Sequence, residues 1–237
     1  FLSASTPQER QKENRRGEGA DSARGGGGRA ACEHQHAQQG RTGGRERVIV
    51  ECHPALVGEA PLRFRDLLQG CLEVAMGLET VHPQVLPRLN KGMTLVQFSR
   101  AADFLRRNGI ALRVFILVVP PFLKADEGLY WAKRSLDFAF DCGATVASLI
   151  PTRGGNGAME ALAACGEFKP PRLGTLEAAA AYGIGLDRGR VFADLWDVER
   201  FASCTACFAP RTARLREMNL RQVVPPPVDC QRCGGNV

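Results

Sequence analysis

The run from Leu112 to Val119 constrains this chain more than any other stretch: it holds one polar residue, Arg113, and stops at Pro120-Pro121. A run that short and that apolar reads as a β-strand buried on both faces, an environment that helix-covered parallel sheets provide. Val48-Ile49-Val50, Leu72 to Met76 (stopped at Gly77), Thr145 to Ile150 and Val191 to Leu195 are further strand candidates. Amphipathic stretches lie between them. Leu95, Phe98, Ala102 and Leu105 recur at spacings of three and four, which predicts a helix over Thr94 to Arg107 with Thr94 as N-cap and Gly109 as C-cap. Other helices are expected over Pro61 to Gln69, Asp126 to Cys142, Gly157 to Ala164 and Leu173 to Tyr182. This alternation is the grammar of an α/β fold with parallel strands, whose chemistry gathers at the carboxyl ends of the strands. About 190 residues from Val48 onward fall short of the ~250 of a closed eightfold barrel. The expectation for residues 48–195 is therefore a partial TIM-type (βα) barrel or an open sheet.

The two ends of the chain read differently. From Ser3 to Arg47 there is no Val, Ile, Leu, Met, Phe, Trp or Tyr, and Gly25-Gly26-Gly27-Gly28 lies inside the stretch. Such a segment cannot bury enough apolar surface to offset chain entropy, so residues 1–47 read as a disordered Gly/Arg-rich tail. The net charge of +6 is divided between the ends: residues 1–47 carry nine Lys and Arg against six acids, and residues 188–237 carry eight against five. Basic tails on a neutral body suit phosphate contacts, and solvated tails without a partner fit equally well. Phe1 is not an initiating Met, which points to a fragment or a processed or mis-assigned start. No run approaches ~18 consecutive apolar residues, so no transmembrane span is expected. Nine cysteines in a chain with long apolar strands favour a reducing cytoplasm over a secreted disulfide scaffold.

Polar residues collect where the strands should end. Glu51 follows the first strand, Gly77-Leu78-Glu79-Thr80 the second, and Leu89-Asn90-Lys91-Gly92-Met93-Thr94 comes one short helix later. Pro151-Thr152-Arg153-Gly154-Gly155-Asn156-Gly157 ends the fourth strand, with glycines that form either a phosphate nest or a tight turn. Two carboxylates and a lysine at one mouth suit the amino, carboxylate and ribose hydroxyl groups of a small zwitterion. The alternative is that Glu51 and Glu79 cap the helices that follow them.

Glu51-x-His53-Pro54, Gly77-Leu78-Glu79-Thr80, Val85-Leu86-x-x-Leu89-Asn90-Lys91-Gly92-Met93-Thr94, and Gly109-Ile110 before an apolar strand ending in Pro form an ordered set. From Val48 to Pro151 that set resembles the second half of the radical SAM core, in the branch of the Elongator-type tRNA-modifying proteins and the radical SAM subunit of archaeosine synthase. The resemblance implies that Glu51, Glu79 and Lys91 contact S-adenosylmethionine. It also implies a [4Fe-4S] cluster held by a Cys-x3-Cys-x2-Cys loop, whose open iron chelates the methionine moiety. No such spacing occurs in the 237 residues. The expectation is a truncated, inactive product of a full-length radical SAM enzyme that modifies RNA (tRNA, in keeping with that branch) or another nucleoside-type substrate. The acid that the branch often carries on the next strand is also missing from Leu112 to Val119.

Cys204-Thr205-Ala206-Cys207 and Cys230-Gln231-Arg232-Cys233 form a second signal, independent of that resemblance. Two Cys-x2-Cys knuckles with 22 residues between them can supply four thiolates to one structural zinc, and Gly234-Gly235 gives the small-residue turn such knuckles favour. Residues 196–237 accordingly read as a small zinc-ribbon-like tail, with an auxiliary iron-sulfur cluster or free thiols as the other options. Trp196 and Phe201 are expected to pack between this tail and the sheet. The Cys32, His34 and His36 trio has metal-ligand residue types but sits in the Gly/Arg-rich tail. Two rival functions stand beside the radical SAM reading: a non-catalytic zinc-ribbon module that binds nucleic acid on an α/β scaffold, and a TIM-type lyase or hydrolase.

Overall fold

The computed structural model describes residues 46–155 and 157–233. The expected tail over most of 1–47, the Cys32, His34 and His36 trio, Asn156 and Gly234-Gly235 lie outside them. Five strands, β1 (Arg47–Glu51), β2 (Cys71–Glu79), β3 (Ala111–Val118), β4 (Val146–Pro151) and β5 (Arg190–Ala193), form one sheet in the order β1-β2-β3-β4-β5. Every pairing is parallel. Seven helices connect or follow them: α1 (Glu59–Leu67), α2 (Val85–Arg88), α3 (Leu95–Arg107), α4 (Gly128–Asp141), α5 (Ala158–Ala164), α6 (Leu173–Gly185) and α7 (Thr205–Arg221). Among the described residues no helix is long and apolar enough to cross a membrane.

Sequential order makes each crossover step one strand over with the same hand, so the connecting helices stack on one side. Leu112, Val114, Ile116 and Val118 of β3 are buried in a core shared with Phe98 and Leu105 of α3, Leu136 of α4 and Leu176 of α6. The alternate residues Ala111, Arg113, Phe115 and Leu117 are only half-buried. The expectation that this strand is covered equally on both faces is thus corrected: α3, α4, α6 and α7 contribute to a single core on one side. β2 also departs from expectation, because it does not stop at Gly77 but runs through it to Glu79, with a bulge between the two.

Thr94 caps α3 as expected, its hydroxyl accepting from Gln97 N while the Gln97 side chain accepts from Thr94 N, a complete capping box. Gly109 lies one residue beyond the C-cap Asn108, in the left-handed conformation that closes the helix.

The largest difference lies after β5. Instead of a ribbon of strands, the described part of residues 196–237 is dominated by α7, whose Leu215 and Met218 are fully buried in the common core. The side chain of Asn219 donates to Ala193 O and accepts from Ala193 N, both at 2.8 Å. Gln222 treats Val191 in the same way, at 3.0 and 2.7 Å. Two side-chain amides thereby satisfy the free edge of β5, which would otherwise invite pairing with another strand.

On the face that receives no helix among the described residues, Glu73 is fully buried between Arg47 (2.8 Å) and Arg113 (2.6 Å), and Arg113 also reaches Ser148 at 3.2 Å. Removing one partner of a buried pair leaves a charge uncompensated, at a cost of ~3 kcal/mol or more. Arg113→Met, which leaves Glu73 with the half-exposed Arg47 alone, is expected to lower unfolding free energy by ~1 to 3 kcal/mol, and Glu73→Leu in the same chain to restore most of it. Chemical denaturation of the single and double variants checks this.

Candidate functional site

At the end of β2 the backbone does something costly. Glu79 has φ 63°, left-handed for a residue that is not glycine, and Leu78 is bulged out of register. The Glu79 carboxylate is nine-tenths buried and Oε1 meets Lys91 Nζ at 3.0 Å. It folds back over Gly77: a Cβ on that residue would lie 2.5 Å from Glu79 Oε1, so a larger residue there would displace the carboxylate from this position. Lys91 is brought there by the short helix α2 and a reversal in which Asn90 and Gly92 both take positive φ.

His53 ties the same loop to β1. Its Nε2 donates to Lys91 O at 2.8 Å and its Nδ1 accepts from Ala55 N at 3.2 Å, an arrangement that belongs to the neutral ring protonated at Nε2. Glu51, exposed at the end of β1, makes no hydrogen bond or ion pair among the described residues. Of the three predicted ligand residues, Glu79 and Lys91 therefore touch, while Glu51 stands as an open carboxylate on the neighbouring strand end. His53 is the member that sequence reasoning quoted within a motif without giving it a role.

Neither acid behaves as a helix cap. The first amides at α2, Gln84 N and Val85 N, go to His82 Nδ1, and the turn after β1 is capped by His53. Nor does the ion pair account for the conformation. With Lys91 half-exposed the pair is worth at most about 1 kcal/mol, whereas a left-handed non-glycine residue costs ~1 to 3 kcal/mol. A second such residue ends β3: Val119, β-branched and directly before a proline, has φ 54°, and Gly128 leaves room for it. Strained backbone clusters at functional sites, and here two adjacent strand ends carry it beside a desolvated carboxylate, which makes this strand end the candidate site.

The ends of β4 and β5 carry a further cluster. Arg153 bonds Asp194 at 2.8 Å and donates through Nε and Nη2 to Trp196 O. Trp196 N in turn donates to Asp194 Oδ1 at 3.0 Å. Trp196 is 70% exposed, which corrects the expectation that it packs under the tail, while Phe201 is buried as expected. In the glycine loop the Gly155 amide donates to Glu160 at 2.6 Å, and this and neighbouring amides, led by Glu160's own, hold that carboxyl below its ordinary range.

The four cysteines converge. Their sulfurs all lie within 4.8 Å of one another, with Cys204 and Cys230 3.9 Å apart and Cys207 and Cys233 3.6 Å apart. A tetrahedral zinc with Zn–S bonds of ~2.3 Å holds its sulfurs about 3.8 Å apart, so the set fits. Cys204 is the N-cap of α7, and the amides of Cys207 and Ala206 pull its thiol down to about 7. The amides of Cys233 and Arg232 lower Cys230 in the same way, whereas burial raises Cys207. Arg211 bonds the Cys207 sulfur and, at 2.7 Å, Glu177 of α6, which links the cysteine group to the core.

No protein-family model matches the chain. It is 29% identical over 136 residues to archaeosine synthase subunit beta of Methanosarcina acetivorans, a match covering 54% of this chain and 38% of that protein. To archaeosine synthase subunit beta of Thermococcus kodakarensis it is 32% identical over 94 residues, 38% of this chain and 29% of that one. The chain thus spans about a third of the length of these curated relatives. The structure of Elp3 from Methanocaldococcus infernus, lacking its N-terminal residues, superposes with a TM-score of 0.52 at 17% identity, over 62% of this chain and 34% of that one. That likeness is one of fold.

A metal at the four cysteines should contribute folding free energy directly. One zinc per chain is expected by elemental analysis. Cys230→Ser should lower the zinc content and open the region after Asp194 to limited proteolysis, and undiminished zinc in that variant would contradict the assignment.

Proposed function

We propose that these residues form the S-adenosylmethionine-binding part of a radical SAM-type protein that modifies RNA, with the sheet as an arc of a (βα) barrel and zinc at Cys204, Cys207, Cys230 and Cys233. The observation that carries the reading is the desolvated Glu79, held in a strained turn against Lys91 at a strand end. It stands within the motif set that resembles the family, in a chain similar to archaeosine synthase subunit beta. A zwitterionic amino acid can exchange partners with such a pair, its ammonium to Glu79 and its carboxylate to Lys91, by charge-assisted bonds that replace the existing one. Glu51, unpaired on the next strand, is placed to accept from ribose hydroxyls.

In this chemistry a [4Fe-4S] cluster, when bound, supplies the electron that cleaves S-adenosylmethionine. The three-cysteine loop that holds it has no counterpart in the 237 residues, so no residue is assigned to it and no step is derived through it. These 237 residues by themselves are expected to bind S-adenosylmethionine without cleaving it and to remain colourless when loaded with zinc.

Glu79→Gln keeps the shape and removes the charge. It is expected to weaken S-adenosylmethionine binding by ~1 to 3 kcal/mol, the scale of a hydrogen bond to a charged group, and to leave the melting temperature nearly unchanged. Calorimetric titration and thermal melting of one variant read both quantities. A stability loss of ~0.5 to 1 kcal/mol with unaltered affinity would instead reveal a purely structural carboxylate.

A further inference from the structure

Trp196 presents an unusual combination. Its ring is 70% exposed, yet the backbone that carries it is fixed on both sides, N by Asp194 and O by two donors of Arg153. Arg153 is itself held by Asp194 and nine-tenths buried, and its guanidinium lies 5.3 Å from the Trp196 ring and 5.6 Å from the buried ring of Phe201. The next residue, Asp197, is left-handed at φ 48°, and Arg200 donates to Gly154 O at 3.1 Å, joining the segment to the loop after β4. The exposed Trp196 ring thus stands beside a cation, with hydrogen bonds holding the backbone at its base. Because all strands are parallel, it stands at the same end of the sheet as Glu79 and Lys91.

From this we infer that Trp196, backed by Arg153, is a stacking platform for an unpaired nucleobase of an RNA substrate. The inference rests on the RNA-modifying reading above and names the element that would grip the substrate. A rigid indole offers a flat apolar face to any base, and base-aromatic stacking is tolerant of base identity. Arg200, exposed beside the loop, fits the backbone charge of RNA, and Arg153, neutralised by Asp194, serves as a positioning residue rather than a phosphate contact. None of these contacts involves Glu79 or Lys91, so loss of the platform leaves binding of the small ligand intact.

The test uses the full chain labelled with 5-fluorotryptophan, whose two tryptophans, Trp131 and Trp196, give two fluorine resonances. A Trp196→Phe variant assigns them. A single-stranded RNA oligonucleotide should shift the Trp196 resonance, while inorganic polyphosphate and S-adenosylmethionine should not. Trp196→Ala should weaken RNA binding about 5- to 100-fold at fixed salt, and Trp196→Phe should retain most of it. Melting temperature and S-adenosylmethionine affinity should stay at their original values in both variants. RNA binding that is insensitive to Trp196→Ala would overturn the platform and leave the RNA reading standing. No RNA binding at all, with S-adenosylmethionine still bound, would overturn the platform and the RNA reading together. A Trp196 shift with S-adenosylmethionine or polyphosphate alone would reassign the ring to another ligand.

Discussion

Five strands pointing the same way, hydrogen-bonded in chain order, are the constraint from which the rest of the structure follows. Parallel pairing requires a crossover for each strand, the common hand of those crossovers sends the helices to one face, and the loops that leave the strands all emerge at one end. Glu51, Glu79, Val119, Arg153 and Asp194 are thereby gathered although they span more than half of the chain. The opposite face receives no helix among the described residues and is organised by charge instead, with Glu73 held between Arg47 and Arg113.

Local strain is concentrated where the loops begin. Glu79 and Val119 end neighbouring strands in the left-handed region, and a glycine lies against the side chain of each: Gly77 against the Glu79 carboxylate and Gly128 against Val119. The surrounding core, from Met76 and Leu78 to Ile116 and Leu149, is fully buried and can hold these turns in place. A ligand that exchanges bonds with Glu79 and Lys91 would find them already oriented, so little of its binding free energy would be spent on ordering.

Much of this is legible in the sequence. The strands and α3 follow from apolar runs and three-four spacing, because those signals are local and the same side chains that set the pattern fill the core. The cysteine knuckles are legible because zinc-ligand spacing is local within each pair, and only the closing of one pair upon the other needs the fold. What stays hidden is non-local. The half-covered face of β3 depends on strand order, which Leu112 to Val119 cannot encode alone. α7 escapes notice because its helical stripe is thin, carried by Leu215 and Met218 among arginines and interrupted by Pro210. Its anchoring comes from Asn219 and Gln222 on the β5 edge and from Arg211 on Glu177, polar contacts that no hydropathy pattern announces. Trp196 misleads for the reverse reason: a large aromatic close to Phe201 suggests packing, but the backbone bonds to Arg153 and Asp194 accompany a ring that stands exposed.

If the strand end built from Glu79, Lys91 and Gly77 holds S-adenosylmethionine, as proposed, the ligand must register there. Amide and lysine-amine resonances of the isotope-labelled chain, followed as S-adenosylmethionine is added, address it residue by residue. Saturable shifts are expected at Gly77, Glu79, Thr80 and Gly92 and at the Lys91 ammonium, with the amides around Cys204 and Cys230 unmoved. Saturating ligand that leaves the Glu79 turn unshifted, or that perturbs only the cysteine group, would contradict it.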